Sequence, residues 1–249
     1  LHTGEHVNIT FKPAPADTGL VFVREDIEGD NLINAHIKYI SNTDRGTNLD
    51  NGSFRIHTSE HVLAAITGLD IDNCFICLDG PEVPIMDGSS KFFINALEEA
   101  KIVEQNVLRE EFFPSEPISY VCEDSGSKIS ILPDDNYKVN TIVDYKTKVL
   151  GEQEASINHI SEFKQEISSA RTFSFLHELE TLLENGLIKG GDLNNAIVYV
   201  DKPLAESNMD ILKKAFNKDS ISVKADGILD NLDLHYPNEA ARHKLLDVI

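Results

Sequence analysis

Apolar positions recur along the chain with two periods, one typical of strands and one of helices, and the two take turns from end to end. His6-Val7-Asn8-Ile9-Thr10-Phe11 alternates with the period of two that lines one face of a strand, and Leu20-Val21-Phe22-Val23 follows after Pro13 and Pro15. From Thr58 to Gly68 the period changes. Val62, Leu63 and Ile66 make an apolar helical face, hydroxyl residues precede it and a glycine closes it. This predicts a short helix with Glu60 and His61 in its first turn. Asn73 to Leu78 reads as a buried strand, and Ser89 or Ser90 opens a second helix with Phe93, Ala96, Leu97 and Ala100 on one face.

Between Val103 and Pro117 the pattern lapses into charge, Asn106 and two prolines, which marks a boundary between domains at 1–105 and 115–249. Strands resume at 118–122, 128–132 and 137–143. Helical patterns follow at 161–170 and 174–185, with Leu176, Leu179, Leu182 and Leu183 as the buried stripe. A Gly190-Gly191 turn leads to a strand at 196–200, and two further helices are expected, one near 207–216 and one opened by Asn238 as N-cap. Each half reads as strands and helices in some order, with no repeat visible in the letters themselves. The last helical pattern has no stop signal and the first residue is Leu1, so the sequence is expected to be a fragment of a longer chain.

Composition narrows the partners. Lys plus Arg number 22 against 42 Asp plus Glu, a net charge of −20, which excludes a general binder of nucleic acid or anionic membranes. Any anionic ligand needs a local basic pocket. No apolar run is long enough for a membrane helix, and three sparse cysteines argue against a disulfide framework, so a soluble cytoplasmic protein is expected. Cys74 and Cys77 have metal-knuckle spacing but lie in a predicted buried strand, where two core thiols are the plainer reading.

The chemistry gathers at two acid–imidazole pairs. His243 and Asp247 stand four apart in Arg242-His243-Lys244-Leu245-Leu246-Asp247, so they share one helix face. Imidazole and carboxylate both suit zinc, although an ordinary i,i+4 surface pair has the same spacing. Glu60-His61 is the second pair, at a helix start. If His61, His243 and Asp247 converge, they make a three-ligand zinc site with an open fourth position, the arrangement of a catalytic centre. Glu60, beside a ligand without being one, then suits a general base; otherwise it is a partner for the helix dipole.

These residues sit in a wider set. Leu1-His2-Thr3-Gly4, Pro13-Ala14-Pro15-Ala16, Ser59-Glu60-His61, residues 68–73, residues 81–89, Ala170-Arg171-Thr172-Phe173, Gly190-Gly191 with residues 195–198, and residues 242–247 run in order over nearly the whole length. The chain so resembles the UDP-3-O-acyl-N-acetylglucosamine deacetylases, zinc enzymes of the committed step of lipid A synthesis. The resemblance implies two similar α+β domains, each a β-sheet with helices, the helices sandwiched between the sheets.

It also implies zinc as the cofactor, held by His61, His243 and Asp247, with Glu60 as general base and Thr172 steadying the oxyanion. The substrate implied is a small molecule, an acylated UDP-amino sugar. Leu1, Thr3, Phe173 and Lys244 fall in matching motifs, Lys244 on a residue that meets the nucleotide sugar, and Tyr145 stands where an aromatic flanks the uracil. Phe175, Leu179, Ile188, Gly191, Ala196 and Val198 match an insert, here about 176–200, that forms a passage for the acyl chain; each also suits a plain core. The family's sequence continues past the ligand Asp to a Gly-Asp and a Gly-His whose His is the general acid, a motif without counterpart in residues 1–249. Some members are fused to a 3-hydroxyacyl-carrier-protein dehydratase. A zinc amidohydrolase for another N-acyl sugar, or a non-catalytic fragment, remain the alternatives.

Overall fold

A computed structural model describes residues 1–43, 46–179, 195–202, 213, 222–225, 227–229 and 232–249. The helix expected near 207–216, most of the 174–185 helix and the Gly190-Gly191 turn lie outside the described residues. The architecture is α+β. Alternating residues build β1 (Ile9–Pro13), β2 (Leu20–Arg24) and β3 (Leu32–Asn34), which join β7 (Cys74–Leu78) in a sheet ordered β1-β7-β2-β3. β7 runs antiparallel to β1 and parallel to β2, so it is paired on both edges. That central place explains its apolar run and buries the free thiols of Cys74 and Cys77. A small sheet of β4 (Ile40–Asn42), β5 (Asn48–Asp50) and β6 (Arg55–Ile56) leads into α1 (Glu60–Gly68), and α2 (Lys91–Ala100) follows β7.

Among the described residues, the later chain forms three two-stranded units. β8 (Ile118–Val121) pairs with β9 (Lys128–Ile131), and β10 (Val139–Asp144) with β11 (Glu152–Ile157), both antiparallel. After α3 (Phe163–Glu166), β12 (Phe173–Phe175) pairs in parallel with β13 (Ile197–Tyr199), and α4 (Glu239–Val248) closes the described chain. The helix α4 lies against β10 and β11 and also against α1, which in turn touches α2 and α3. One apolar core runs from Phe22 and Ile76 through Val62, Ile66 and Phe93 to Ile157, Leu245 and Leu246. Burial of that apolar surface is what presses the two acid–imidazole helices together. Among the described residues, no helix is long and apolar enough to cross a membrane.

Four local expectations are corrected. On α2 the buried stripe is Phe93, Ile94 and Leu97, while Ala96 and Ala100 face solvent; small alanines give little reason to bury that side, whereas Ile94 does. The 161–170 helix shrinks to a 3₁₀ turn at Ile160–Glu162 and the single turn of α3, because Ser168 and Ala170 fold back on Phe163 and Ile167. Ser59 makes no side-chain cap, its hydroxyl donating instead to the Thr47 carbonyl. Asn238 does not cap α4 with its side chain: its amide N–H donates to Glu154 and its oxygen accepts from Arg242.

Gly68 ends α1 against the ring of Phe163. A Cβ there would stand 2.0 Å from the Phe163 Cδ1 atom. Gly68→Ala is therefore expected to lower stability by about 1–3 kcal/mol through overpacking, read as a lower urea midpoint; an unchanged midpoint would mean that α1 and α3 are not packed this closely.

Candidate metal centre

The first turn of α1 and the middle of α4 present His61 and His243 to each other. Both rings are only 3% exposed, and their centroids lie 5.1 Å apart in an edge-on arrangement. The spacing of four along α4 sets Asp247 on the same face as His243, with Oδ1 3.7 Å from Nε2. One donor atom from each of His61, His243 and Asp247 lies within 4.8 Å of the other two. A tetrahedral ion with bonds near 2.0–2.1 Å needs donors on the order of 3.4 Å apart, so small side-chain rotations close the group.

The donor set fits a divalent metal on its hydrogen bonds as well. His243 Nδ1 is 3.0 Å from the Ala170 carbonyl oxygen, so Nδ1 carries the proton and Nε2 keeps its lone pair for the site. Among the described residues, His61 Nδ1 is buried with no hydrogen-bond partner, a state that normally costs free energy. Burial holds both imidazoles neutral, each with its pKa lowered to about 4. Burial pushes Asp247 upward, but His243 and Lys244 outweigh it and hold the carboxylate below its usual range. Two neutral imidazoles and one anion form a borderline set that suits zinc.

Glu60 stands one residue before His61. Burial raises its pKa and the Asp247 charge adds to the rise, while its own backbone N–H and that of Thr47, 2.8 Å away, work against it. A carboxylate of raised pKa beside a metal group is suited to accept a proton. The turn that aims Glu60 is strained. Thr58 has φ 58°, unusual for a β-branched residue, and its hydroxyl donates to Glu82 Oε1 at 2.9 Å. Glu82, 2% exposed, also accepts from the backbone N–H groups of His2 and Thr3 and from the Thr3 hydroxyl, each at 2.8 Å. This carboxylate ties Thr58 to His2 and Thr3, a role that sequence reasoning missed although Glu82 lies in the matching stretch 81–89.

Of the other predicted residues, Phe173 and Lys244 touch the donor group directly. Thr172 is pinned by its backbone, donating to the Gly88 carbonyl at 2.7 Å and accepting from Ile197 at 2.9 Å. Phe173 lies 6.5 Å from the His243 ring and 5.6 Å from Tyr145, which also meets Phe175 at 5.4 Å. Lys244 Nζ lies 5.6 Å over Phe173 and donates to Asp247 Oδ2 at 2.6 Å. Thr3 is engaged by Glu82, and Leu1 is partly buried beside it in sequence. Phe175, Leu179 and Val198 are buried and Ala196 half-buried, while Ile188 and Gly191 lie outside the described residues. His57 is half-buried, with Nδ1 3.0 Å from the Asn48 amide oxygen, and is not part of the three-donor group.

With this geometry in view, comparison with known proteins decides the lineage. The profile described as "LpxC: UDP-3-O-acyl N-acetylglycosamine deacetylase" matches residues 1–212. The chain belongs to the LpxC family. A protein of Porphyromonas gingivalis named "Bifunctional enzyme LpxC/FabZ" is 41% identical over the whole chain, which covers 54% of that relative. Its namesake in Chlorobaculum tepidum is 44% identical, again with 54% covered. A protein of Acidithiobacillus ferrooxidans named "UDP-3-O-acyl-N-acetylglucosamine deacetylase" is 36% identical, with 74% covered. The chain thus spans about half the length of the bifunctional relatives. His243 and Asp247 lie past the profile's last residue but within the stretch aligned to these LpxC relatives.

The neutral imidazoles carry a pH signature. Folded pKa values of about 4 lie below the roughly 6.5 of an unfolded chain, so between these values the unfolded state binds more protons. Stability is therefore full above pH about 6.5 and is lost as the pH falls toward 4. Metal-free protein is expected to lose on the order of a few kcal/mol across that window, and His243→Gln should flatten the slope of urea-derived stability against pH. A slope unmoved by the substitution would contradict a buried neutral His243.

Proposed function

We propose that this chain hydrolyses the N-acetyl group of a UDP-linked, 3-O-acylated N-acetylglucosamine, giving acetate and the free amine. The observation that carries the reading is the meeting of His61, His243 and Asp247 beside Glu60, from helices nearly two hundred positions apart. The names of relatives aligned over the whole chain support the substrate class. His61, His243 and Asp247 are the residues that would hold the metal, zinc by donor chemistry. Bound there, zinc supplies a Lewis acid that polarises an amide carbonyl and makes water more acidic.

The chain's own groups do the rest. Glu60, with its raised pKa and an oxygen fixed by the Thr47 N–H, takes the proton of the attacking water. The Thr172 hydroxyl, on a backbone held at both sides, donates to the developing oxyanion. Lys244 supplies local positive charge in an acidic protein, and Phe173 with Tyr145 offers aromatic edges to a uracil. Phe175, Leu179, Ala196 and Val198 belong to the segment assigned to the acyl chain, where each methylene is worth roughly 0.8 kcal/mol. Leu1 and Thr3, the latter anchored by Glu82, are assigned to substrate binding by the family resemblance.

Two domains, 1–105 and 115–249, and a cytoplasmic place of action with three reduced thiols complete the proposal. A second enzyme fused in the same polypeptide is part of it too, as the name of the bifunctional relatives suggests.

Glu60→Gln in the full-length protein is expected to keep its zinc while kcat falls by about 10²-fold or more, measured by metal analysis and acetate release. Parallel loss of zinc and turnover would make Glu60 a ligand rather than a base. Wild-type protein should strongly prefer the 3-O-acylated substrate to the unacylated sugar; equal rates would remove the assignment of the acyl segment.

A further inference from the structure

Ala170, whose carbonyl orients the His243 ring, sits at the end of a bend with no regular structure of its own to fix it. Its N–H donates to the Ile167 carbonyl at 2.8 Å, and its neighbour adds the anchor to α4. Arg171 is 4% exposed and Glu239 fully buried, and the two make a two-pronged pair, with Nε 2.8 Å from Oε1 and Nη2 3.2 Å from Oε2. The Arg171 backbone N–H also donates to Oε1, at 3.1 Å. Both groups have further partners, since Arg171 Nη2 donates to the Asp233 carbonyl and the His235 N–H donates to Glu239 Oε2, both at 2.6 Å.

Glu239 opens α4 four residues before His243 and eight before Asp247, so the three share one face of one helix. Residues 170 and 171 are therefore fastened to two successive turns of α4: residue 171 to Glu239, residue 170 to His243. Thr172 follows directly. A buried ion pair is a poor device for stability alone, because desolvation offsets most of its attraction. Its geometry here is suited to setting register between a bend and a helix.

We infer that the Arg171–Glu239 pair is a positioning element of the metal centre: it fixes the Ala170 carbonyl, and through it the tautomer and orientation of His243. This rests on the reading of His243 as a metal ligand. Partners that orient ligands in this way typically change metal affinity by about 10–100-fold when altered.

The test uses full-length protein carrying Arg171→Lys, Glu239→Gln, or the apolar double change Arg171→Met with Glu239→Met. Three quantities are read: zinc affinity by chelator competition, the visible absorption of cobalt-loaded protein, and the urea midpoint of metal-free protein. The expected result is zinc binding weaker by about 10–100-fold and an altered cobalt spectrum in each variant that folds. The apolar double variant leaves no unpaired buried charge, its cost being limited to the acceptor lost by the N–H groups of residues 171 and 235, and it decides the matter where the single changes do not fold. A purely structural role would lower the urea midpoint while leaving zinc affinity and cobalt spectrum at their wild-type values, and that result overturns the inference. His243→Gln separates the two claims: unchanged zinc affinity there overturns the reading of the site itself, whereas weakened binding in His243→Gln alone overturns only the role of the pair.

Discussion

Two buried imidazoles facing each other across a helix–helix contact are the constraint around which the rest is arranged. His61 and His243 are each held neutral in an apolar setting, 5.1 Å apart, with one carboxylate alongside. Such a cluster is unfavourable unless something uses its lone pairs, and the fold commits much to keeping it. The core that spans both helices presses α1 on α4, the strained Thr58 turn aims the start of α1, and a buried ion pair fastens the approach to α4. Each costs free energy locally and is carried by the burial of apolar surface around it.

Electrostatics divides the molecule in a consistent way. The chain as a whole carries a charge of −20, yet the acids near the three-donor group are each accounted for. Asp247 is balanced by Lys244, Asp87 by the Ser89 N–H and hydroxyl, Glu82 by backbone and hydroxyl donors, and Glu239 by Arg171. Glu60 is the exception, with a pKa raised by burial and by a neighbouring anion. An acid left destabilised among satisfied ones is where proton transfer is most readily placed.

The sequence made some of this visible because the relevant distances are short along the chain. The spacing of four between His243 and Asp247, and the adjacency of Glu60 to His61, need only helical geometry to be read, and the resemblance then joined the two stretches. Long-range facts were not readable. Nothing in the letters says that Glu82 reaches back to Thr3 and Thr58, or that Glu239 takes the backbone of residue 171. Caps were misread for the same reason: Ser59 and Asn238 have the right side chains for helix starts, but tertiary neighbours claimed their hydrogen bonds first. His57 is drawn inward by pairing between its backbone and that of residues 81 and 83, which its place in the sequence does not announce.

The central claim is that imidazoles from two distant helices and one carboxylate surround a single ion. X-ray absorption at the zinc edge of the loaded, full-length protein tests this directly. The account predicts a shell of nitrogen and oxygen donors at about 2.0–2.1 Å containing two imidazoles and no sulfur, with one imidazole lost in His61→Gln and one in His243→Gln. A sulfur shell near 2.3 Å, or an imidazole count untouched by either substitution, would contradict it.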